Sequence, residues 1–98
     1  MHTMQIVQSD VFTAWLDNVK DERAAARIVT RIRRMEIGNA GDVRSVGEGV
    51  SEIRIDYGPG YRVYFANRGR AIVILLCGGD KGTQTADIRR AKALAADI

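Results

Sequence analysis

A glycine-proline-glycine triplet between two alternating segments constrains this chain more than any other feature. Gly58, Pro59 and Gly60 are a strong turn signal, because proline fixes φ and glycine accepts the positive φ of a tight return. On either side, apolar and polar residues alternate over residues 50–57 and 61–66, which is the period of a half-buried strand. The sequence therefore predicts a β-hairpin, and with it a sheet.

The length of the hairpin loop determines which side chains share a face of the two strands. A three-residue loop gives three apolar cross-strand pairs: Tyr57 with Tyr61, Ile55 with Val63, and Ile53 with Phe65. The other face then carries Asp56 beside Arg62, Arg54 beside Tyr64, and Glu52 beside Ala66. A two-residue loop would mix apolar and charged side chains on both faces and bury arginines, so we predict the odd-length loop.

The remaining periodicities complete a single small domain over residues 1–98. Residues 3–7 predict a short strand, Ser9 or Asp10 caps a first helix, and Asp21 caps a second helix that stops at Gly38. A third strand follows the hairpin at 71–77, and a last helix covers 85–96. The pattern also allows an optional short strand at 43–46. The predicted fold class is α+β, ordered β-α-α-β-β-β-α, with an antiparallel sheet packed against an N-terminal helical hairpin and a C-terminal helix.

Arginine dominates the charge of this chain. Fifteen Lys and Arg against twelve Asp and Glu give a net charge of +3, and twelve of the fifteen basic residues are arginine. The planar guanidinium grips phosphate with two hydrogen bonds, whereas lysine is a point charge. Four arginines share the polar face of the second helix: Arg23, Arg27, Arg31 and Arg34. That face is either solvated or a contact with ribosomal RNA, and the pattern allows both.

Several kinds of site are excluded by the scarcity of their ligands. Cys77 is the only cysteine, and it follows an apolar run, so it predicts a buried thiol rather than a disulfide or a thiolate-rich metal site. The one histidine, His2, lies outside every motif, which argues against a metal centre and against Ser-His-Asp catalysis. We expect no cofactor. The longest apolar run, 71–77, is far shorter than the ~20 residues of a membrane span, so we expect a cytoplasmic protein.

The third strand should return antiparallel to the second and bring the loop at 78–84 beside the hairpin turn. Arg54, Arg62, Tyr64 and Lys81 would then converge on one cationic surface with an aromatic ring. Such a surface suits a phosphodiester and a stacked base. The alternative is a cross-strand ion pair between Asp56 and Arg62, with Arg54 balanced by Glu52 and Tyr64 a half-buried sheet residue.

Short sequence words along the chain resemble a known family of toxins. In order they are Phe12-x-x-Trp15-Leu16, Arg31-Ile32-x-Arg34, Gly38-Asn39-x-Gly41-Asp42, Val46-Gly47-x-Gly49-Val50, Glu52-Ile53-Arg54-Ile55, Tyr57-Gly58-Pro59-Gly60-Tyr61-Arg62-Val63-Tyr64-Phe65, Leu75-Leu76-Cys77-Gly78-Gly79-Asp80-Lys81 and Gln84-x-x-Asp87-Ile88-x-x-Ala91. The pattern resembles the addiction module killer protein branch of the RelE/ParE superfamily, often described as HigB-like, and spans about residues 12–95.

This resemblance implies a metal-independent endoribonuclease that cuts mRNA on the ribosome and is neutralised by a cognate antitoxin. In such toxins the ribose 2′-OH attacks its own phosphate and leaves a 2′,3′-cyclic end. Carried over by position, Arg54 is a basic residue of the hairpin's first strand, Arg62 stabilises the transition state, and Lys81 protonates the leaving 5′-oxygen. We also assign RNA binding to Arg44, Tyr64 and Gln84.

The chain departs from the best-studied RelE branch at two positions. Glu52 stands where that branch has a second lysine, which serves as the base, and Ala86 and its neighbours provide no counterpart to its C-terminal tyrosine.

The expected antitoxin carries a helix-turn-helix domain, and the toxin would contact operator DNA only through that domain. Two alternatives remain: a gyrase poison in the manner of ParE that makes no RNA cut, and a non-catalytic subunit whose basic surface only binds the antitoxin.

Overall fold

A computed structural model describes residues 3–98 of the chain. It has five strands, three α-helices and a single turn of 3-10 helix, which confirms the general α+β class. In chain order the elements are β1 (Gln5–Gln8), α1 (Asp10–Asp17), α2 (Glu22–Glu36), β2 (Val43–Gly47), β3 (Val50–Ile55), β4 (Tyr61–Arg68), β5 (Ile72–Asp80), the 3-10 turn (Lys81–Thr83) and α3 (Gln84–Ala96). None of the helices in this part of the chain has the length and apolar character needed to cross a membrane.

The five strands form one mixed sheet in the order β1-β5-β4-β3-β2. Strands β2 to β5 are antiparallel neighbours, but β1 lies parallel to β5. The prediction of an antiparallel sheet was therefore wrong at this edge, where α1, α2 and three strands separate the paired segments and allow a parallel return. The optional strand at 43–46 is present as β2, so four strands follow the helices instead of three.

The predicted register of the Gly-Pro-Gly hairpin is wrong by two residues. Ile55 pairs with Tyr61 and Ile53 pairs with Val63, which leaves a five-residue loop, 56–60. Tyr57 leaves the ladder because its N–H donates to the Ile55 carbonyl at 2.9 Å, and its own carbonyl accepts from Gly60 N at 3.1 Å. Since side chains alternate with a period of two, a slip of two residues keeps each of them on its predicted face.

Two apolar cores lie on opposite faces of the sheet. The first packs α1 and α2 on the sheet through ten buried side chains: Phe12, Ile28, Ile32, Met35, Ile53, Ile55, Val63, Phe65, Val73 and Leu75. The second packs α3 on the other face around Val50, Tyr64, Ala66, Ile74, Leu76, Cys77 and Ala91. The face of the hairpin that carries Glu52, Arg54, Arg62 and Tyr64 is therefore the face that α3 partly covers.

Side-chain caps set the starts of α1 and α2 where the sequence predicts them. Ser9 Oγ accepts from Phe12 N at 3.0 Å, and Asp21 Oδ1 accepts from Arg23 N and Ala24 N. An acceptor at this position satisfies N–H groups that the first helical turn leaves without a partner. Ser9 also donates to the Leu76 carbonyl at 2.7 Å, which ties the start of α1 to β5.

A bulge at Leu76 shifts the pairing of β4 with β5. Tyr64 lies opposite Cys77 and Phe65 lies opposite Leu75, so that Leu76 and Cys77 both belong to the core under α3. The predicted burial of Cys77 is confirmed. Burial raises the pKa of its thiol to about 11, with a smaller contribution from Asp87.

Close packing at Gly78 gives a test of how α1 sits on the sheet. A Cβ atom at Gly78 would overlap the indole ring of Trp15, and the ring cannot move without disturbing the first core. We expect Gly78→Ala to lower the free energy of unfolding by about 2 to 3 kcal/mol, measured by urea denaturation. Gly82→Ala is the matched control, since its Cβ would meet only the Oδ1 atom of the half-buried Asp80, at 3.2 Å. Equal midpoints for the two variants would contradict this packing.

Candidate phosphate-binding site

A pocket of about 300 Å³ opens at the turn end of the β3–β4 hairpin. Its wall contains three basic side chains and two carboxylates, and its lining residues are Asp42, Arg54, Ile55, Asp56, Gly60, Arg62 and Lys81. The three residues predicted to be catalytic, Arg54, Arg62 and Lys81, thus meet around one cavity.

Backbone pairing accounts for this convergence. Arg54 and Arg62 are directly opposite each other on β3 and β4. The antiparallel return of β5 pairs Asp80 with Tyr61, so Lys81, the next residue, arrives at the hairpin turn. A Cβ atom at Gly60 would lie 3.4 Å from Lys81 Cβ, which shows how closely the two loops approach.

The carboxylate of Glu52 lies behind the pocket and joins four side chains. Its residue is only 1% exposed. Oε1 lies 3.2 Å from Arg54 Nε and 3.5 Å from Arg62 Nη1, and Oε2 accepts from Tyr64 Oη at 2.9 Å and Gln84 Nε2 at 3.0 Å. A buried charge is tolerated when it is paired and hydrogen-bonded in this way. Glu52 therefore fixes both arginines from behind.

The two arginines keep unused hydrogen-bonding capacity beside Glu52. Their Nε–H groups are buried and make no hydrogen bond within residues 3–98, although Arg54 Nε is within ion-pair distance of Glu52. One carboxylate also balances only one of the two guanidinium charges. A buried N–H without a partner is costly, so an anion in the pocket would supply both a partner and the missing negative charge.

Tyr64 and Gln84 lie behind the pocket rather than in its wall. Tyr64 is fully buried, and its hydroxyl donates to Glu52. Burial, together with that hydrogen bond to a carboxylate, raises the pKa of Tyr64, so it stays protonated. Gln84 is the first residue of α3 and reaches Glu52 across the sheet. The ring of Tyr64 presents no surface to solvent.

The structure does not bring Arg44 into the pocket. Arg44 is an exposed residue of β2, opposite Glu52 in the β2–β3 ladder. Sequence reasoning also missed Asp42, whose carbonyl accepts from Arg54 N at 3.1 Å and whose residue lines the pocket. The sequence feature that pointed to Asp42 was the Gly41-Asp42 motif just before the optional strand at 43–46.

Arg31 ties α2 to the strand that carries Arg54. Its Nη1 donates to the Arg54 carbonyl at 2.8 Å, and its Nη2 donates to the Ala40 carbonyl at 2.9 Å. A Cβ atom at Gly41 would lie 2.8 Å from that same Nη2, and Gly41 has φ +81°. Only glycine therefore fits beside the Arg31 guanidinium. Arg31 thereby links α2 to the backbone just before Asp42, at Ala40, and to the backbone of Arg54.

Comparison with known proteins places this sequence in a family. Residues 14–97 match the model of the Gp49-like phage-derived proteins (DUF891). The chain belongs to the Gp49-like family. This family is part of the group of killer proteins of toxin–antitoxin addiction modules. A Haemophilus influenzae protein, described only as uncharacterized, is 51% identical to this Gp49-like chain over 96 residues, which cover 98% of this chain and 97% of the relative.

Within residues 3–98, this Gp49-like protein has no group of three His, Cys, Asp or Glu side chains placed to hold a metal ion. His2, the histidine noted in the sequence, lies outside the described residues. The charged groups in the pocket wall are its two arginines, its lysine and its two carboxylates.

Removing the buried carboxylate tests its structural importance in this Gp49-like protein. We expect Glu52→Ala to lower the free energy of unfolding by about 3 kcal/mol, because Arg62, 6% exposed, would lose its counter-charge. The control is Glu48→Ala, which breaks a surface pair with Lys92 at a side chain that is 71% exposed and should cost no more than about 0.5 kcal/mol. Chemical denaturation measures both variants. A similar loss of unfolding free energy in the two variants would contradict a structural role for Glu52.

Proposed function

We propose that this Gp49-like protein is the toxin of a type II toxin–antitoxin system and acts as a metal-independent, ribosome-dependent mRNA endoribonuclease. The observation that carries the proposal is the meeting of Arg54, Arg62 and Lys81 around one pocket of a size to admit a phosphate group with its ribose. The membership of the family among addiction-module killer proteins supports the toxin part.

The proposed reaction needs positive charge around the phosphorus atom. The 2′-oxygen of a ribose forms a bond to the adjacent phosphorus as the bond from phosphorus to the 5′-oxygen breaks, which leaves a 2′,3′-cyclic phosphate and a 5′-hydroxyl. Arg54 and Arg62, held from behind by Glu52, stabilise the extra negative charge of the five-coordinate transition state. Lys81, exposed at the rim, donates a proton to the departing 5′-oxygen.

A base must accept the proton of the 2′-hydroxyl, and Glu52 is too enclosed to act as that base. Its two oxygens are already occupied by four neighbours. The carboxylates in the pocket wall belong to Asp42 and Asp56, both exposed. We assign the base to one of these two, since a general base must reach the proton that it removes.

The three residues first assigned to RNA binding take different places in this proposal. Tyr64 and Gln84 act as positioning residues, because each hydrogen-bonds the carboxylate that orients the arginines. Arg44 lies exposed on β2 and contributes a phosphate contact outside the pocket. Preorganised groups of this kind spare the reaction the cost of reorganisation.

The proposal includes partners as well as a reaction. A cognate antitoxin with a helix-turn-helix domain would cover the cationic pocket, hold the toxin inactive, and provide its only connection to operator DNA. The ribosome would present the mRNA strand in the orientation that cleavage needs, which is the positioning that this small pocket cannot supply by itself.

Lys81→Ala is the sharpest test of the reaction. Lys81 is exposed and makes no ion pair within residues 3–98, so its removal should leave stability unchanged. We expect mRNA cleavage to fall about a hundredfold, the lower end of what a positioned proton donor contributes. The measurement is primer extension of cellular mRNA after induction from a tightly regulated promoter, compared with the unsubstituted chain.

Arg70→Ala serves as the matched control, because Arg70 is an exposed basic residue in the β4–β5 loop and lies outside the pocket lining. It should keep full toxicity and the same cleavage sites. Growth arrest without any new mRNA 5′ ends would refute the nuclease. Trapped gyrase–DNA complexes in those cells would instead identify a ParE-like gyrase inhibitor.

A further inference from the structure

A groove lined by arginines lies along α2. We call it the α2 groove; its volume is about 670 Å³, and it is lined by Arg23, Ala26, Arg27, Thr30, Arg31, Arg34, Ile55 and Asp56. Arg31 joins α2 to the sheet, but neither the fold nor the proposed reaction accounts for the charges of Arg23, Arg27 and Arg34. The apolar stripe of α2 points the other way, into the first core.

The charge of the α2 groove is not neutralised by the protein itself. Asp56 lines the groove, yet within residues 3–98 no carboxylate is within ion-pair distance of any of its four arginines. Arg31 is engaged by two backbone carbonyls, which satisfy hydrogen bonds but not charge. Arg23, Arg27 and Arg34 stay exposed. Like charges this close on one helix repel each other, and a bound polyanion would relieve that repulsion.

One of these arginines is already held in place. The guanidinium of Arg27 lies 4.6 Å from the centre of the Tyr57 ring, and Tyr57 packs against the first core. Stacking of this kind restricts a flexible side chain and leaves its in-plane donors available. A prearranged donor loses less conformational entropy when it binds.

The α2 groove adjoins the phosphate pocket. Ile55 and Asp56 line both cavities, so the two lie next to each other at the turn end of the hairpin. The four arginines recur every three or four residues, which spreads them over about 16 Å of helix at 1.5 Å per residue. That length matches about four to five nucleotides of a stacked strand at roughly 3.4 Å each.

We infer that the α2 groove binds the phosphate backbone of the same RNA strand whose scissile phosphate lies in the pocket, an inference that rests on the proposed function. An acidic polypeptide is the competing occupant. It fits less well, because peptides anchor through apolar side chains and the only apolar lining here is Ala26 and the buried Ile55. A strand with regularly spaced charges needs no apolar anchor.

The test measures binding of RNA that cannot be cut. Fluorescence anisotropy of the full chain with 2′-O-methyl RNA, either a trinucleotide or a strand of about ten nucleotides, is recorded over a range of salt concentrations. The double variant Arg27→Gln, Arg34→Gln should weaken binding of the longer strand about tenfold and reduce its log–log salt slope by about 1.4. Trinucleotide binding in the pocket should stay within about twofold of the unsubstituted chain.

The control is Arg68→Gln, Arg70→Gln, which removes two exposed arginines at the opposite end of β4 and should change neither affinity nor slope. Equal losses in the two double variants would overturn the inference, and so would a groove variant that loses affinity for poly-L-glutamate but not for RNA. Because the RNA is not cleavable, a failed groove is distinguishable from a failed nuclease, which is detected only by the mapping of mRNA 5′ ends.

Discussion

The arrangement of the site depends on one buried carboxylate. Arg54 and Arg62 stand at paired positions on adjacent strands, where two like charges would push each other apart. Glu52 lies between them and the second core, and its two oxygens face four side chains from three elements. The cost of burying its charge is offset by those contacts, and the result is a pair of guanidinium groups held at one end of the sheet.

The layer structure explains how a buried charge and an open pocket lie so close together. Helix α3 covers the sheet face that carries Glu52 and Tyr64, and its first residue, Gln84, contributes to holding Glu52. The helix begins only after the loop that carries Lys81, so the turn end of the hairpin stays open. On the other face, Arg31 joins α2 to the backbone of Arg54. Helix α3 on one face of the sheet and helix α2 on the other thus each hold part of the cluster around Glu52 and Arg54.

Alternation of apolar and polar residues was enough to predict the hairpin, its odd-length loop and the set of charged residues on one face. It could not determine the register, because a slip of two residues leaves every face unchanged. Nor could it reveal that α3 covers this face, since a pattern along one strand does not say what packs on it; Tyr64 and Glu52 were therefore expected nearer the surface than they lie. The parallel pairing of β1 with β5 joins segments distant in sequence, which local periodicity does not detect.

The proposed function requires that a phosphate binds between Arg54 and Arg62, whose Nε–H groups make no hydrogen bond within residues 3–98, while Arg54 Nε lies 3.2 Å from Glu52 Oε1. The most direct measurement is a ¹⁵N NMR titration of the arginine side chains of the full chain with a 2′-O-methyl dinucleotide. We expect the Nε–H signals of Arg54 and Arg62 to shift on addition of the dinucleotide, while those of Arg68 and Arg70 stay in place. A titration that moves the exposed arginines and leaves Arg54 and Arg62 unchanged would contradict it.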